Sequence, residues 1–251
     1  MPASLTQPVT DRSLLPALAS PFIDLLFPSE CVSCGKQVRF SDSHICPECL
    51  SSITQPEDSC SRCCAPLSEN GCGLCTERAF YPDRNICVAE YTKAMKSAMR
   101  AYKFRGFRSL SAPLSLLCHN ALLENDIRAE LITCVPMRRS KKHQRGFNQS
   151  ELIARRLSKY MKIPFAHTLH DRGGSAHQRE QGFAGRFLNA IGRYEPLKKS
   201  RVSGKSVIIV DDVFTTGATI NECSRILRLA GANRIFSLTL ARTAIKRLEI
   251  F

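Results

Sequence analysis

The chain has 251 residues, enough for one medium α/β domain and a small accessory one. Its net charge of +14 is unevenly divided: residues 1–90 hold 6 Lys/Arg against 11 Asp/Glu, and residues 91–251 hold 30 against 11. No apolar run approaches the roughly 20 residues that span a bilayer, which argues against an integral membrane protein.

Residues 1–27 read as an N-terminal extension. Asp11, Pro16, Pro21 and Asp24 break up its apolar residues, and it lacks a basic start, so a secretory signal is not expected. Residues 28–80 carry four CxxC pairs: Cys31/Cys34, Cys46/Cys49, Cys60/Cys63 and Cys72/Cys75. Each pair puts two thiolates on one tight turn, and two such turns complete a tetrahedral four-cysteine zinc site. The gaps between pairs, 11, 10 and 8 residues, suit short hairpins, so this region reads as two zinc ribbons in tandem. Sequential and interleaved pairing of the turns both fit the spacing. A disulfide framework would need an oxidising compartment, and a redox CxxC would stand singly. Apolar residues between Cys31 and Cys75 are too sparse for an ordinary core, so metal must supply much of the folding free energy, on the order of 10 kcal/mol per site. Four thiolates leave no open coordination position, which makes the two Zn2+ ions structural. Cys64 adjoins a turn, but Cys63 has the better spacing. Cys87, Cys118, Cys134 and Cys223 read as buried free thiols.

Residues 90–251 read as the second domain. Met95, Met99 and Tyr102 recur at helical spacing and predict a helix over residues 93–104. A second helix is expected over 111–125, then a short buried strand over 131–135, stopped by Pro136. The stretch 137–149 follows as a basic loop holding Arg138, Arg139, Lys141, Lys142, His143 and Arg145, well placed at a strand end for a pyrophosphate. Gly146 precedes a helix expected over 148–161. The segment 169–194 is polar and poorly periodic; it reads equally well as a flap over a pocket or as a surface loop. His167, His170 and His177 lie there without a metal-ligand pattern and read as surface residues. A helix over 217–229, ended by Gly231, and a strand over 235–240 complete a right-handed βαβ unit of a parallel sheet.

That unit opens with the most informative stretch, VIIVDDVFTTGAT at residues 207–219. Its first four residues form a β-branched run suited to a strand buried on both faces. Asp211 and Asp212 follow at the carboxyl end, where open α/β sheets bind ligands. Thr215, Thr216, Gly217, Ala218 and Thr219 are small or hydroxylic and lead into a helix N-terminus, which favours an anion. Carboxylates for a vicinal diol beside amides for a phosphate suit a sugar phosphate.

This string resembles the binding motif of the type I phosphoribosyltransferases for phosphoribosyl pyrophosphate. The resemblance implies a parallel sheet flanked by helices, with Asp211 and Asp212 on the ribose hydroxyls and residues 215–219 on the 5-phosphate. It further implies Mg2+ bound with the donor. Arg138, Arg139 and Arg145 are the candidates on the pyrophosphate side. RGFNQSELIA at 145–154, with Arg172, Gln178, Arg186, Asn189 and Tyr194, makes the whole chain resemble the ComF/GntX family. Tyr194 stands where that family usually has Phe, and the loop at Gly173 and Gly174 is less typical. The resemblance implies a cytoplasmic role in natural transformation, with other DNA-uptake proteins as possible partners. Enzymes of hypoxanthine or guanine salvage carry an acid at the position matching Thr215. A threonine has no such acid–base function near neutral pH, which argues against that chemistry here.

Two readings follow. One is a phosphoribosyltransferase with an unknown acceptor. The other is a non-catalytic uptake factor that senses the ligand in the pocket and holds single-stranded DNA on its basic part. In the second, Phe104, Phe107, Phe147 and Phe183 are candidates to stack on bases, although core packing is their ordinary role.

Overall fold

The computed structural model describes residues 29–39, 43–56, 59–67, 69, 71–72, 79–173, 190–198 and 201–243. The N-terminal extension, Cys75, and most of the 169–194 segment, including His177, Gln178, Phe183, Arg186 and Asn189, lie outside the described residues.

The ribbon region contains a two-residue antiparallel pair, β1 (Ser29–Glu30) and β2 (Gln37–Val38), and one short helix, α1 (Pro47–Ser51). The larger unit follows with β3 (Arg84–Cys87), α2 (Lys93–Phe104), α3 (Ser111–Glu124), β4 (Leu131–Cys134), α4 (Arg139–Arg145) and α5 (Gln149–Met161). It continues with β5 (Leu169–Asp171), β6 (Tyr194–Pro196), β7 (Ser206–Phe214), α6 (Ala218–Leu229) and β8 (Arg234–Arg242). Four strands form one parallel sheet in the order β3-β8-β7-β4, and β5 and β6 pair antiparallel apart from it. The sheet therefore begins at β3, ahead of residue 90. Residues 164–166 run beside its other edge, where Ile132 donates to the Pro164 carbonyl and accepts from Ala166.

Both faces of the sheet are apolar because each strand sends alternate residues to opposite sides. Ile132, Ile208, Val210, Phe236 and Leu238 face one core with Met95, Met99 and Tyr102 of α2, Leu114 of α3 and Leu157 of α5. Leu131, Val207, Ile209 and Ile235 face the other with Ile220, Cys223 and Leu227 of α6. Burying each such side chain contributes about 1.5–3 kcal/mol. The ribbon region is joined to the first core: Cys31, Ile45, Cys46 and Ile53 belong to the same apolar cluster.

The helices over residues 93–104, 111–125, 148–161 and 217–229 occur within a residue or so of expectation. The basic stretch 137–149 differs. It is a loop only at its ends, and residues 139–145 form a seven-residue helix. Arg, Lys and Gln are good helix formers, and Gly146 ends the turn in the left-handed region at φ 75°.

Candidate functional site

The sheet's carboxyl end is uneven. β4 pairs with β7 only as far as Cys134↔Val210, whereas β8 pairs with it as far as Phe214↔Arg242. Asp211 and Asp212 thus lie within β7, not after it, but beyond the end of β4.

Asp211 is half-buried and accepts hydrogen bonds from the Asp212 amide (2.8 Å) and Ser150 Oγ (3.4 Å). Desolvation, with the Asp212 carboxylate alongside, pushes its acid up to about 7. Asp212 forms an ion pair with Lys103 Nζ at 2.8 Å, and both side chains are largely covered, 18% and 16% exposed. Lys103 is a member of the site that sequence reasoning missed. It sits in the last turn of α2, far from the motif, and nothing in the sequence separates it from its basic neighbours.

The turn at 215–219 follows directly. Thr216 is buried and its Oγ1 accepts from the Ala218 amide at 3.3 Å. Gly217 is the N-cap of α6, at φ 79°. A Cβ there would lie 2.4 Å from Phe214 Cζ, so only glycine permits this close turn. With no capping side chain and no acidic residue in the first turn of α6, the helix N-terminus is free of protein anions of its own making.

RGFNQS has a local explanation for nearly every residue. Phe147 is buried against Tyr102 at 5.4 Å between ring centroids. Asn148 caps α5 by accepting from the amides of Ser150 (3.0 Å) and Glu151 (3.4 Å), and donates to the Val135 carbonyl at 3.1 Å. The Gln149 carbonyl accepts from the Tyr102 hydroxyl at 3.0 Å. Ser150 thereby reaches Asp211.

The three candidate arginines divide. Arg138 points to Asp171 of β5 at 3.9 Å, and Arg193 holds the same carboxylate at 2.6 Å. Desolvation and the cations of Arg193, Arg145 and Arg138 lower the Lys141 ammonium, with the Asp171 carboxylate acting the other way, so these four cations gather around one carboxylate. Arg145 also bonds Gln149 at 3.3 Å. Arg139 lines an open notch of about 330 Å³ with Lys142, His143 and Gly146. Lys141 belongs to the basic stretch expected to face a pyrophosphate; Arg193 lies outside it and needs the β5–β6 pairing to bring it near Asp171.

In the ribbon region the sulfurs of Cys31, Cys34, Cys46 and Cys49 lie within 4.8 Å of one another, and so do those of Cys60, Cys63 and Cys72. The turns therefore group sequentially, and the interleaved alternative does not hold. The Cys34–Cys46 and Cys63–Cys72 sulfur separations are 3.7 and 3.5 Å. A tetrahedron with Zn–S bonds of 2.3 Å has edges of about 3.8 Å, so the donor set fits zinc. Backbone N–H groups of Cys46, Cys49 and Arg62 point at the sulfurs of Cys31, Cys46 and Cys60, each at 3.4 Å. Cys64 lies outside these groups, and burial raises its thiol well above the ordinary range.

Comparison with known proteins agrees with this arrangement. Residues 22–79 match the double zinc ribbon domain and residues 148–250 the phosphoribosyl transferase domain. Fold and site together define a phosphoribosyltransferase-fold protein with structural zinc in an N-terminal double ribbon. Within that class the chain is similar, over most of its length, to curated competence and DNA utilization proteins. It is 28% identical over 231 residues to competence protein F of Haemophilus influenzae, covering 86% of this chain and 98% of that protein. It is 27% identical over 231 residues to the DNA utilization protein YhgH of Escherichia coli K12, covering 87% and 99%. It is 24% identical over 251 residues to competence protein ComFC of Bacillus subtilis, covering 96% and 92%.

Proposed function

We propose that this chain binds phosphoribosyl pyrophosphate at the tips of β7 and β4, as a cytoplasmic protein of DNA uptake acting with other uptake proteins. The observation that carries the reading is the convergence on one sheet end of a carboxylate pair, a glycine turn opening a helix, and a group of four cations. Asp211 and Asp212 accept hydrogen bonds from the ribose 2- and 3-hydroxyls. The amides of Thr215, Thr216, Gly217, Ala218 and Thr219 take the 5-phosphate at the start of α6. Arg138, Arg139 and Arg145, with Lys141 and Arg193, face the pyrophosphate. Mg2+ arriving with the donor neutralises pyrophosphate charge. Zn2+ is held by Cys31, Cys34, Cys46 and Cys49 in one ribbon and by Cys60, Cys63, Cys72 and Cys75 in the other. Calorimetry with donor and Mg2+ tests this: Asp211→Asn with Asp212→Asn should abolish binding while zinc content stays unchanged. Unaltered donor affinity would remove the reading. A pyrophosphate-release assay with a panel of bases and nucleic acids then decides whether an acceptor exists.

A second reading, single-stranded DNA held on the basic part, is favoured by a groove of about 690 Å³ between α3 and α5. Arg108, Arg155, Arg156, Lys159 and Phe165 line it. Arg108 also donates to the Gly146 carbonyl at 2.9 Å, so the groove adjoins the notch at Arg139, Lys142 and His143. Glu151 offsets part of this charge, pairing with Lys142 and Arg155. Of the aromatic candidates, Phe147 is core, Phe107 packs against His44, and Phe104 is 72% exposed beneath Arg145. Affinity for a fluorescent oligonucleotide should fall steeply with salt, and Arg155→Ala with Lys159→Ala should flatten that slope by about two charges. Salt-insensitive binding would exclude it.

A further inference from the structure

The second cysteine cluster lies under the phosphate turn, not beside it. Phe214, the last residue of β7, is 3% exposed and packs with Cys60, Cys63 and Ala65, with Cys72 and Phe80 against them. The tip of its ring meets Gly217, where a Cβ would come within 2.4 Å of Cζ. One aromatic side chain therefore touches both the cysteine cluster and the turn that opens α6.

Two further links join the same parts. Arg242, paired with Phe214 across β7 and β8, is 6% exposed and stands 5.7 Å from the Phe214 ring centroid. It donates to the Cys63 carbonyl, and its Nη2 has no hydrogen-bond partner among the described residues. No carboxylate among the described residues pairs with it. Zinc in four thiolates carries two negative charges, which suits a buried guanidinium held against the Cys63 carbonyl. Asn221 of α6 provides the other link. It donates to the Ala79 carbonyl at 3.1 Å and accepts from the Tyr81 amide at 2.9 Å, tying α6 to the chain that leaves the ribbon.

We infer that the second zinc knuckle is a prop for the phosphate turn, with Phe214 as the positioning residue, so that metal occupancy at Cys60, Cys63 and Cys72 sets the shape of residues 214–221. A ribbon this poor in apolar residues depends on its metal for order. Without it the surface beneath Phe214 disperses, the ring is released, and the glycine turn loses the wall it is built against. That this changes sugar-phosphate affinity rests on the pocket reading above; that it changes the order of the turn does not.

Hydrogen exchange of the full-length protein tests the first link without any ligand. Converting Cys63 and Cys72 to Ser should remove one zinc per chain, measured by elemental analysis, and raise exchange in residues 214–221 above that of β4. Unchanged protection there, with the zinc shown to be lost, overturns the inference. If the double variant does not fold, Phe214→Ala and Phe214→Leu keep the question open to measurement with both zincs retained. Phe214→Ala should weaken phosphoribosyl pyrophosphate binding about tenfold or more, and Phe214→Leu, which still fills the space, should recover most of it. Equal affinity for Phe214→Ala and the parent overturns the inference. A parent that binds no donor removes the pocket reading, and the exchange measurement still decides the coupling.

Discussion

Two adjacent carboxylates at one strand tip are costly, and their surroundings show how the cost is contained. Lys103 neutralises Asp212, and Asp211 keeps its proton up to about pH 7. An unfolded aspartate loses that proton near 3.9. Folding therefore takes up a proton between those values, so this group's contribution is complete below about pH 4 and is lost as pH rises through about 7. Asp211→Asn mimics the protonated acid. Relative to the parent it should gain about 2 kcal/mol in urea-unfolding free energy from pH 4 to pH 8, after allowance for the solvent that reaches this half-buried group. A difference between the two proteins that stays constant with pH would contradict the assignment. On the proposed reading, a diol whose hydroxyls donate into the pair would relieve the same repulsion, coupling the instability of the free site to donor binding.

Among elements, the start of α5 shows how a short motif serves fold and site together. Asn148 satisfies two orphan amides and the Val135 carbonyl at once. Asn148→Ala should cost about 2 kcal/mol by urea denaturation, about half from the lost cap and half from the buried carbonyl left unpaired. It should also weaken donor binding, since Ser150 is aimed at Asp211 from the first turn of that helix. The long helices were legible because apolar residues recur at 3.6-residue spacing along α2, α5 and α6. The seven residues of α4 have no apolar face, so periodicity could not reveal it. The carboxylates' place inside β7 was hidden for a different reason. How far a strand extends depends on how far its neighbour pairs with it, and β8 continues past β4.

At the scale of the whole molecule, the acidic ribbon and the basic sheet domain share a core instead of standing apart. Cys31 and Cys46 pack in the cluster that holds Met95 and Tyr102. Cys46→Ser should therefore lower the urea midpoint of the entire chain in one cooperative transition; a separate early transition of the ribbon alone would count against a shared core. The sequence by itself determined the zinc chemistry and the parallel sheet, and it located the carboxylate pair and glycine turn, because each depends on residue type and spacing within a short stretch. Only the tertiary structure decided that the cysteine turns group sequentially, that Lys103 pairs with Asp212 and Arg193 with Asp171, and that Phe214 touches both the cysteine cluster and the glycine turn. Those facts arise from contacts between segments tens of residues apart, and local spacing has no means of encoding which side chains packing will bring together.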